Sequence, residues 1–419
     1  MPDWSYQPAF KPLLFRLPPD EARRTTLRLL EIQSRTAAGS RLFEFMGHAH
    51  PPESVAVHAF GLRFPSPVGL GPGIDIAGVS LAAMQHLGFG FLTVGPVGEQ
   101  TVARTASTDP LRLENEHCLA MSLEAGGPDA ASLAAHIAAL PELHVPVGMA
   151  LRGRNLGAIL QVTAPAIHYY TLPTSCANDL SLLPELRAST TKPLLLRLSP
   201  DWSRSHLDRV LEAAMEAGLD GFVAVSGAAC GLLPEGELDG PFLRDLAVET
   251  VAHVVNRCGS GFPVIGAGGI MTPADAAAFL QAGACMVELY AGLVYAGPGL
   301  PKRVYNYWLK QPRPVHDSLA PDVAVASLSG NGVSAVEGAP ATPTRIGIAV
   351  PDDPPSKQVH SVRTTLDAPG GVGWIQQDTN AAPQNRMNRQ QHFVLSRDAW
   401  LFVALTGLVL ILSGIAALI

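Results

Sequence analysis

FPVIGAGGIMTPADAAAFLQAGACMVELYAG, residues 262–292, decides the fold. It opens on a short apolar run, FPVIG (262–266), and turns through Gly266-Ala267-Gly268-Gly269-Ile270. Thr272-Pro273 then opens a helix pattern, as a capping residue followed by proline does. A second apolar run, MVELY (286–290), ends at Tyr290-Ala291-Gly292. Strand, helix, strand in this order implies parallel strands. Six more runs of strand length precede them: PVGLG (67–71), FLTVG (91–95), PVGMAL (146–151), IHYYTL (167–172), LLLRL (194–198) and GFVAV (221–225). Helix patterns lie between the runs, clearest at Ser203–Ala217, Pro241–Arg257 and Pro273–Ala282. Eight repeats predict an α/β fold of the (β/α)8 TIM-barrel kind. A doubly wound open sheet is the competing architecture. It requires a GxGxxG turn after the first strand, and GLGPGIDIAG (69–78) lacks that spacing.

A barrel places its chemistry on the loops at the C-terminal ends of its strands, with a phosphate commonly held after strands seven and eight. Gly266–Ile270 and Tyr290–Gly292 are those loops here. Glycines let backbone N–H groups approach an anion, and a helix N-terminus adds positive potential. A tight turn serving packing alone is the other reading of GAGGI.

Composition narrows the function. Of 419 residues 47% are hydrophobic and 16% charged, which supplies a large core and excludes a wholly disordered chain. Lys+Arg number 29 against Asp+Glu 36, a net of -7, so the basic footprint of a duplex-binding protein is missing. The five cysteines, at 118, 176, 230, 258 and 285, form no CxxC. Their odd, scattered arrangement indicates neither a disulfide framework nor a zinc site and suits a reducing compartment.

The ends differ in character. MPDWSYQPAF has no secretory pattern. Trp400–Ile419, WLFVALTGLVLILSGIAALI, carries no charge. Twenty helical residues span about 30 Å, the thickness of bilayer hydrocarbon. Arg386, Arg389 and Arg397 precede it, so the expectation is a C-terminal transmembrane helix over 396–419 with the globular part cytoplasmic. Residues 312–395 are rich in Pro, Gly and Ala and read as a disordered linker, with a reach of roughly 50 Å. The domain expectation is a small helical N-terminal domain at 1–50, a barrel at 51–311, then linker and anchor.

The 262–292 stretch, extended through GLVYAGPGLPKRV to residue 304, resembles the C-terminal barrel segment of the dihydroorotate dehydrogenase family. VAVHAFGLRFPSPVGLGPGIDIAGVSLAAMQHLGFGFLTVGPV (55–97) resembles its first two strands. LLFRLPPDEARRTTLRLL (13–30) resembles the helical N-terminal domain of its membrane-associated, quinone-using class. The resemblance implies FMN in the barrel mouth, oxidation of dihydroorotate to orotate in pyrimidine biosynthesis, and reoxidation by a membrane quinone that enters between the N-terminal helices. It implies flavin contacts at Gly73, Asp75, Arg197, Gly240, Gly268, Gly269, Tyr290 and Ala291, with Arg197 in place of a family lysine. A second family lysine is Ile76 here, and a loop threonine is Pro96.

On the substrate side the family's NxxGFNN loop falls on LAMSLEAGG (119–127), without an asparagine and with Glu124 near the expected anion. Further asparagine positions are Ala150 and Ser226. The catalytic base, a serine or cysteine in the family loop, has two registers. One gives Leu172, which has no acid–base capacity. The other gives Cys176 as base and Asn178, with Ser226, as substrate ligands. A buried, incidental Cys176 is the plain alternative. His48 and His50 lack a third metal ligand, and no metal site is expected. His168, Tyr169 and Tyr170 fit barrel or helix packing, and Asp201 fits a helix start.

The expected function is therefore an FMN-dependent oxidoreductase with an orotate-like substrate, a quinone acceptor and a bilayer anchor. Two alternatives stand beside it. One is a flavoprotein for another small molecule, with a pocket formed by Glu124, Arg152 and Arg154. The other is an inactive barrel serving as a membrane-tethered scaffold.

Overall fold

The structure, a computed structural model, describes residues 6–35, 51–225, 227–259 and 261–311. The expected linker and C-terminal anchor, together with His48, His50 and Ser226, lie outside the described residues. Among the described residues no helix is long and apolar enough to cross a membrane.

Fourteen strands occur in the described residues: β1 (Val57–Ala59), β2 (Leu62–Phe64), β3 (Val68–Leu70), β4 (Phe91–Val97), β5 (Leu111–Leu113), β6 (Cys118–Ser122), β7 (Val147–Leu151), β8 (Tyr169–Leu172), β9 (Leu194–Leu198), β10 (Gly221–Ala224), β11 (Ala228–Cys230), β12 (Gly236–Asp239), β13 (Val264–Ala267) and β14 (Met286–Leu289). Eight of them, β3, β4, β7, β8, β9, β10, β13 and β14, close into a barrel in that order, every pair parallel. These are the eight runs read from the sequence. The doubly wound alternative is excluded, because β14 pairs with β3 and leaves no edge.

Side chains alternate across a strand, so every second residue enters the barrel. The lowest inward layer is apolar: Phe91, Tyr169, Leu195, Val223, Ile265 and Met286, all buried. Room for its two largest rings comes from glycines on neighbouring strands. A Cβ at Gly69 would lie 2.0 Å from the Phe91 ring, and one at Gly148 would lie 2.1 Å from the Tyr169 ring. The antiparallel β1–β2 hairpin closes this end. Phe64 sets its ring edge-on against Phe91 at 5.6 Å and against Tyr169 at 6.3 Å.

Two residues further along each strand the inward layer changes character. Thr93, Thr171, Arg197 and Glu288 stand there, all buried. A charged layer above an apolar floor marks the C-terminal end of the barrel as the chemical end.

Two excursions cover that end. The segment after β4 contributes β5 and β6, and the segment after β10 contributes β11 and β12. Together they make one antiparallel sheet in the order β11-β12-β6-β5. The family resemblance places a loop at 119–127, and β6 (Cys118–Ser122) runs into its start. On the other flank, helical turns over Tyr6–Leu14 and the helix Pro19–Ser34 dock on the barrel. Tyr6 donates its hydroxyl to the Val294 carbonyl at 2.5 Å, and Arg23 donates to the Ile74 carbonyl at 3.2 Å. The carboxylate of the buried Asp20 pairs with both Arg23 and Arg104.

Phe64→Ala removes the hairpin's plug from the barrel floor. It is expected to cost about 3–5 kcal/mol of stability, read as a lower urea midpoint. An unchanged midpoint would show that the hairpin is not part of the core.

Candidate active site

The barrel mouth holds a cavity of about 60 Å³, lined from below by Arg197, Glu288 and Ala267 and from above by Met121, Glu237 and Asp239. Gly71, Pro96, Pro173, Gly268 and Tyr290, at or just beyond the C-terminal ends of the strands, complete its rim.

Arg197 and Glu288 form a buried ion pair across the barrel. Both terminal guanidinium nitrogens donate to Glu288 Oε2, at 3.0 and 2.6 Å. Thr93 donates to Glu288 Oε1 at 2.9 Å, which leaves the Tyr169 hydroxyl to donate to Thr93 at 2.8 Å. Burial raises the Glu288 carboxyl above its ordinary range, and Arg197 and Thr93 pull it back down. The Arg197 charge is thus engaged within the protein. Neither Thr93 nor Glu288 was singled out from the sequence, although a signal existed. LLLRL and MVELY each carry one charge inside an otherwise apolar barrel strand, with opposite signs.

The two glycine rims converge as the phosphate reading requires. Gly268 and Gly269 have φ of +92° and +74°, the left-handed region that glycine tolerates best. This turn aims the Gly269 amide at the same point as the Ala291 amide, the first residue of the helix Ala291–Ala296. At that point lies a carboxylate of the chain itself. Asp239 accepts from Gly269 N at 2.7 Å and from Ala291 N at 2.9 Å, and its carboxylate also draws on the Gly240 amide. Asp239 is buried, and desolvation raises its carboxyl pKa while the three amides lower it. Gly240 is among the residues the family resemblance implies; Asp239 beside it is not, and the four-residue strand that carries it, Gly236–Asp239, shows no sequence signature.

Several expected site residues stand elsewhere. Asp75 is buried and faces its own loop, accepting from Val79 N at 3.0 Å and from the Ser80 amide and hydroxyl at 2.8 Å each. It shapes the turn before the helix Leu81–Met84 and does not line the mouth cavity. Gly73 donates to the Gly95 carbonyl at 2.7 Å and lies close to Met121. Ile76, at the lysine position, joins the apolar core.

Cys176 sits in the short turn Thr174–Asn178, 3% exposed, and burial pushes its thiol up to about 11. It does not line the mouth cavity. Leu172 joins the apolar core, Asn178 is exposed, and the residues of this loop that line the mouth are Pro173 and Thr174. Glu124 is exposed, and neither it nor Arg152 nor Arg154 lines the cavity. The alternative pocket they would have formed is therefore absent from the mouth. His168 accepts from Val147 N at 3.1 Å, Tyr169 enters the barrel and Tyr170 bonds Thr163 on the helix side at 2.8 Å.

A larger cavity, about 210 Å³, opens between the N-terminal helices and the barrel. Its wall is almost wholly apolar, with Phe10, Leu14, Leu27, Leu30, Leu293 and Val294 among its residues. Arg23 and Arg112 are its cations. The Arg112 guanidinium sits 4.0 Å from the centre of the Phe15 ring and donates to the Phe15 carbonyl at 2.7 Å. Tyr290 lines both cavities and so forms part of the wall between them.

The sequence model of the dihydroorotate dehydrogenase family matches residues 158–309. A protein of Salinispora arenicola named dihydroorotate dehydrogenase (quinone) is 32% identical over 329 residues, covering 70% of this chain and 96% of that protein. The chain belongs to the dihydroorotate dehydrogenase family. A Chloroflexus aurantiacus protein of the same name is 29% identical over 343 residues, 71% of this chain and 94% of its own. The ligand-free DHODH of Eimeria tenella shares the fold, with a TM-score of 0.56, 19% identity and coverage of 64% of this chain and 92% of that one.

Dihydroorotate dehydrogenases are FMN-dependent flavoenzymes. The Gly269 and Ala291 amides, which converge at one point, are of the kind that could hold a phosphate. The mouth cavity has room for on the order of five waters, and the two amides already hold Asp239. Seating a phosphate at these amides requires that the Asp239 side chain leave them.

Arg197→Met leaves Glu288 buried without its cation and is expected to cost about 3–5 kcal/mol. Adding Glu288→Met should recover most of it. A single variant as stable as the parent in denaturant would contradict the buried pair.

Proposed function

We propose that this chain oxidises dihydroorotate and passes the electrons to a lipophilic quinone. The observation that carries this reading is the pair of adjoining cavities, one polar in the barrel mouth and one apolar beneath the N-terminal helices, with Tyr290 lining both. Most surface clefts hold both polar and apolar groups. A nearly pure hydrocarbon lining suits a molecule that partitions into lipid. FMN bound in the mouth would supply the hydride acceptor. Gly269 and Ala291 would hold its phosphate, and Arg197 and Glu288 would lie on the barrel side of its site. Tyr290, its hydroxyl held protonated by burial, would fill the gap between flavin and acceptor.

Membrane association fits an acceptor of this kind. A C-terminal anchor at 396–419 on a long linker would keep the apolar entrance near the bilayer without fixing its orientation. Helix Pro19–Ser34 contributes Leu27, Leu29 and Leu30 to that entrance wall.

A second reading, a flavoprotein acting on another small molecule, draws on the charge of the mouth. Glu237, Asp239 and Glu288 line the mouth together with Arg197. Three carboxyl groups to one cation favour a neutral or cationic substrate over an anionic one.

Ala22→Trp fills the apolar cavity from the helix side. In the full chain it should raise the KM for a short-chain quinone about tenfold or more while leaving the KM for dihydroorotate within about twofold. Unchanged quinone kinetics would remove the acceptor from that cavity. Turnover of a neutral substrate with none of dihydroorotate would favour the second reading.

A further inference from the structure

Asp239 ends β12, at the point where the two glycine rims meet. Its register is set by pairing with Leu119 on β6. Gly240 follows, packed so tightly against Cys118 that an added Cβ would lie 2.3 Å from the sulfur. The backbone carrying the carboxylate is thus tied to β6, and side-chain rotation withdraws the carboxylate without breaking that pairing. Both oxygens are engaged, one by Gly269 N and one by Ala291 N. These are the donors that a bound phosphate monoester would need. A carboxylate and a phosphate compete for one set of amides, and two anions in one buried site repel each other.

We propose that Asp239 is a resident stand-in for the flavin phosphate. It completes the anion grip in the flavin-free chain and sets the site against the phosphorylated flavin, so that FMN enters by displacing it. This rests on the reading of the glycine rims as the phosphate end of a flavin site. Two consequences follow physically. The barrel closes without cofactor, because no amide of the grip is left unsatisfied. The phosphate also contributes little net affinity, because its gain is offset by the loss of the two amide bonds to Asp239.

Flavin fluorescence titrations of the full chain with FMN and with riboflavin, which lacks the phosphate, test this. The parent chain should bind the two flavins within about tenfold of each other. Asp239→Ser should raise the preference for FMN over riboflavin about tenfold or more. Asp239→Asn, which keeps the shape and loses the charge, should move it the same way by less. Riboflavin affinity should stay within about threefold throughout, which a merely structural change would not give. An unchanged or reduced preference in the folded variants overturns the proposal. So does a parent chain that already prefers FMN by more than about a hundredfold, a measurement that needs no variant to fold. If neither flavin binds any form, the flavin reading itself fails and the proposal falls with it. Riboflavin binding with an insensitive FMN preference refutes the proposal alone.

Discussion

Two backbone amides, from Gly269 and Ala291, point at one buried spot and call for an acceptor there. The rest of the mouth is arranged around meeting that requirement. Amides this close together and cut off from water would be costly if left unpaired. The left-handed turn at Gly268-Gly269 exists to aim one of them, and the start of the helix Ala291–Ala296 aims the other. Asp239 answers them from a strand that does not belong to the barrel. The added sheet is thus tied to the barrel by charge-assisted hydrogen bonds as well as by packing.

A second electrostatic arrangement lies one layer lower. Arg197 and Glu288 neutralise each other between an apolar floor and the polar mouth, with Thr93 and Tyr169 extending the network. The barrel interior therefore grades from hydrocarbon through an internal ion pair to an anion grip. Each level is reached by stepping two residues along a strand, as from Met286 to Glu288 to Tyr290. Tyr290 then faces the apolar cavity as well, so one strand links the barrel floor to both cavities.

Much of the fold was legible because parallel barrel strands are buried on both faces and read as short unbroken apolar runs. All eight were visible, and the helices after β9, β10 and β13 showed their periodicity. The four-stranded antiparallel sheet was not visible. Its strands are three to five residues long, too short for a clear alternating pattern, and the pairing that joins its two hairpins, β6 with β12, spans more than a hundred positions of chain, as Ser122 with Gly236. That miss carried the site with it. Gly269 and Ala291 were found as phosphate donors, yet their partner Asp239 came from the unseen sheet. Cys176 and Asp75 were selected by motif position. Sequence spacing cannot tell a side chain that faces the mouth from one that turns into its own loop. Ile76 and Glu124 were legible as departures from the family pattern, and the structure shows one absorbed by the core and the other exposed to solvent.

The central claim is that, without flavin, a carboxylate of the chain satisfies the grip. Residue-resolved hydrogen exchange at Gly269 and Ala291 addresses it most directly. In the flavin-free chain both amides should exchange slowly, and Asp239→Ala should release them while the β13 and β14 ladder amides stay protected. Fast exchange at both positions in the flavin-free parent, with protection gained only when FMN is added, would contradict it.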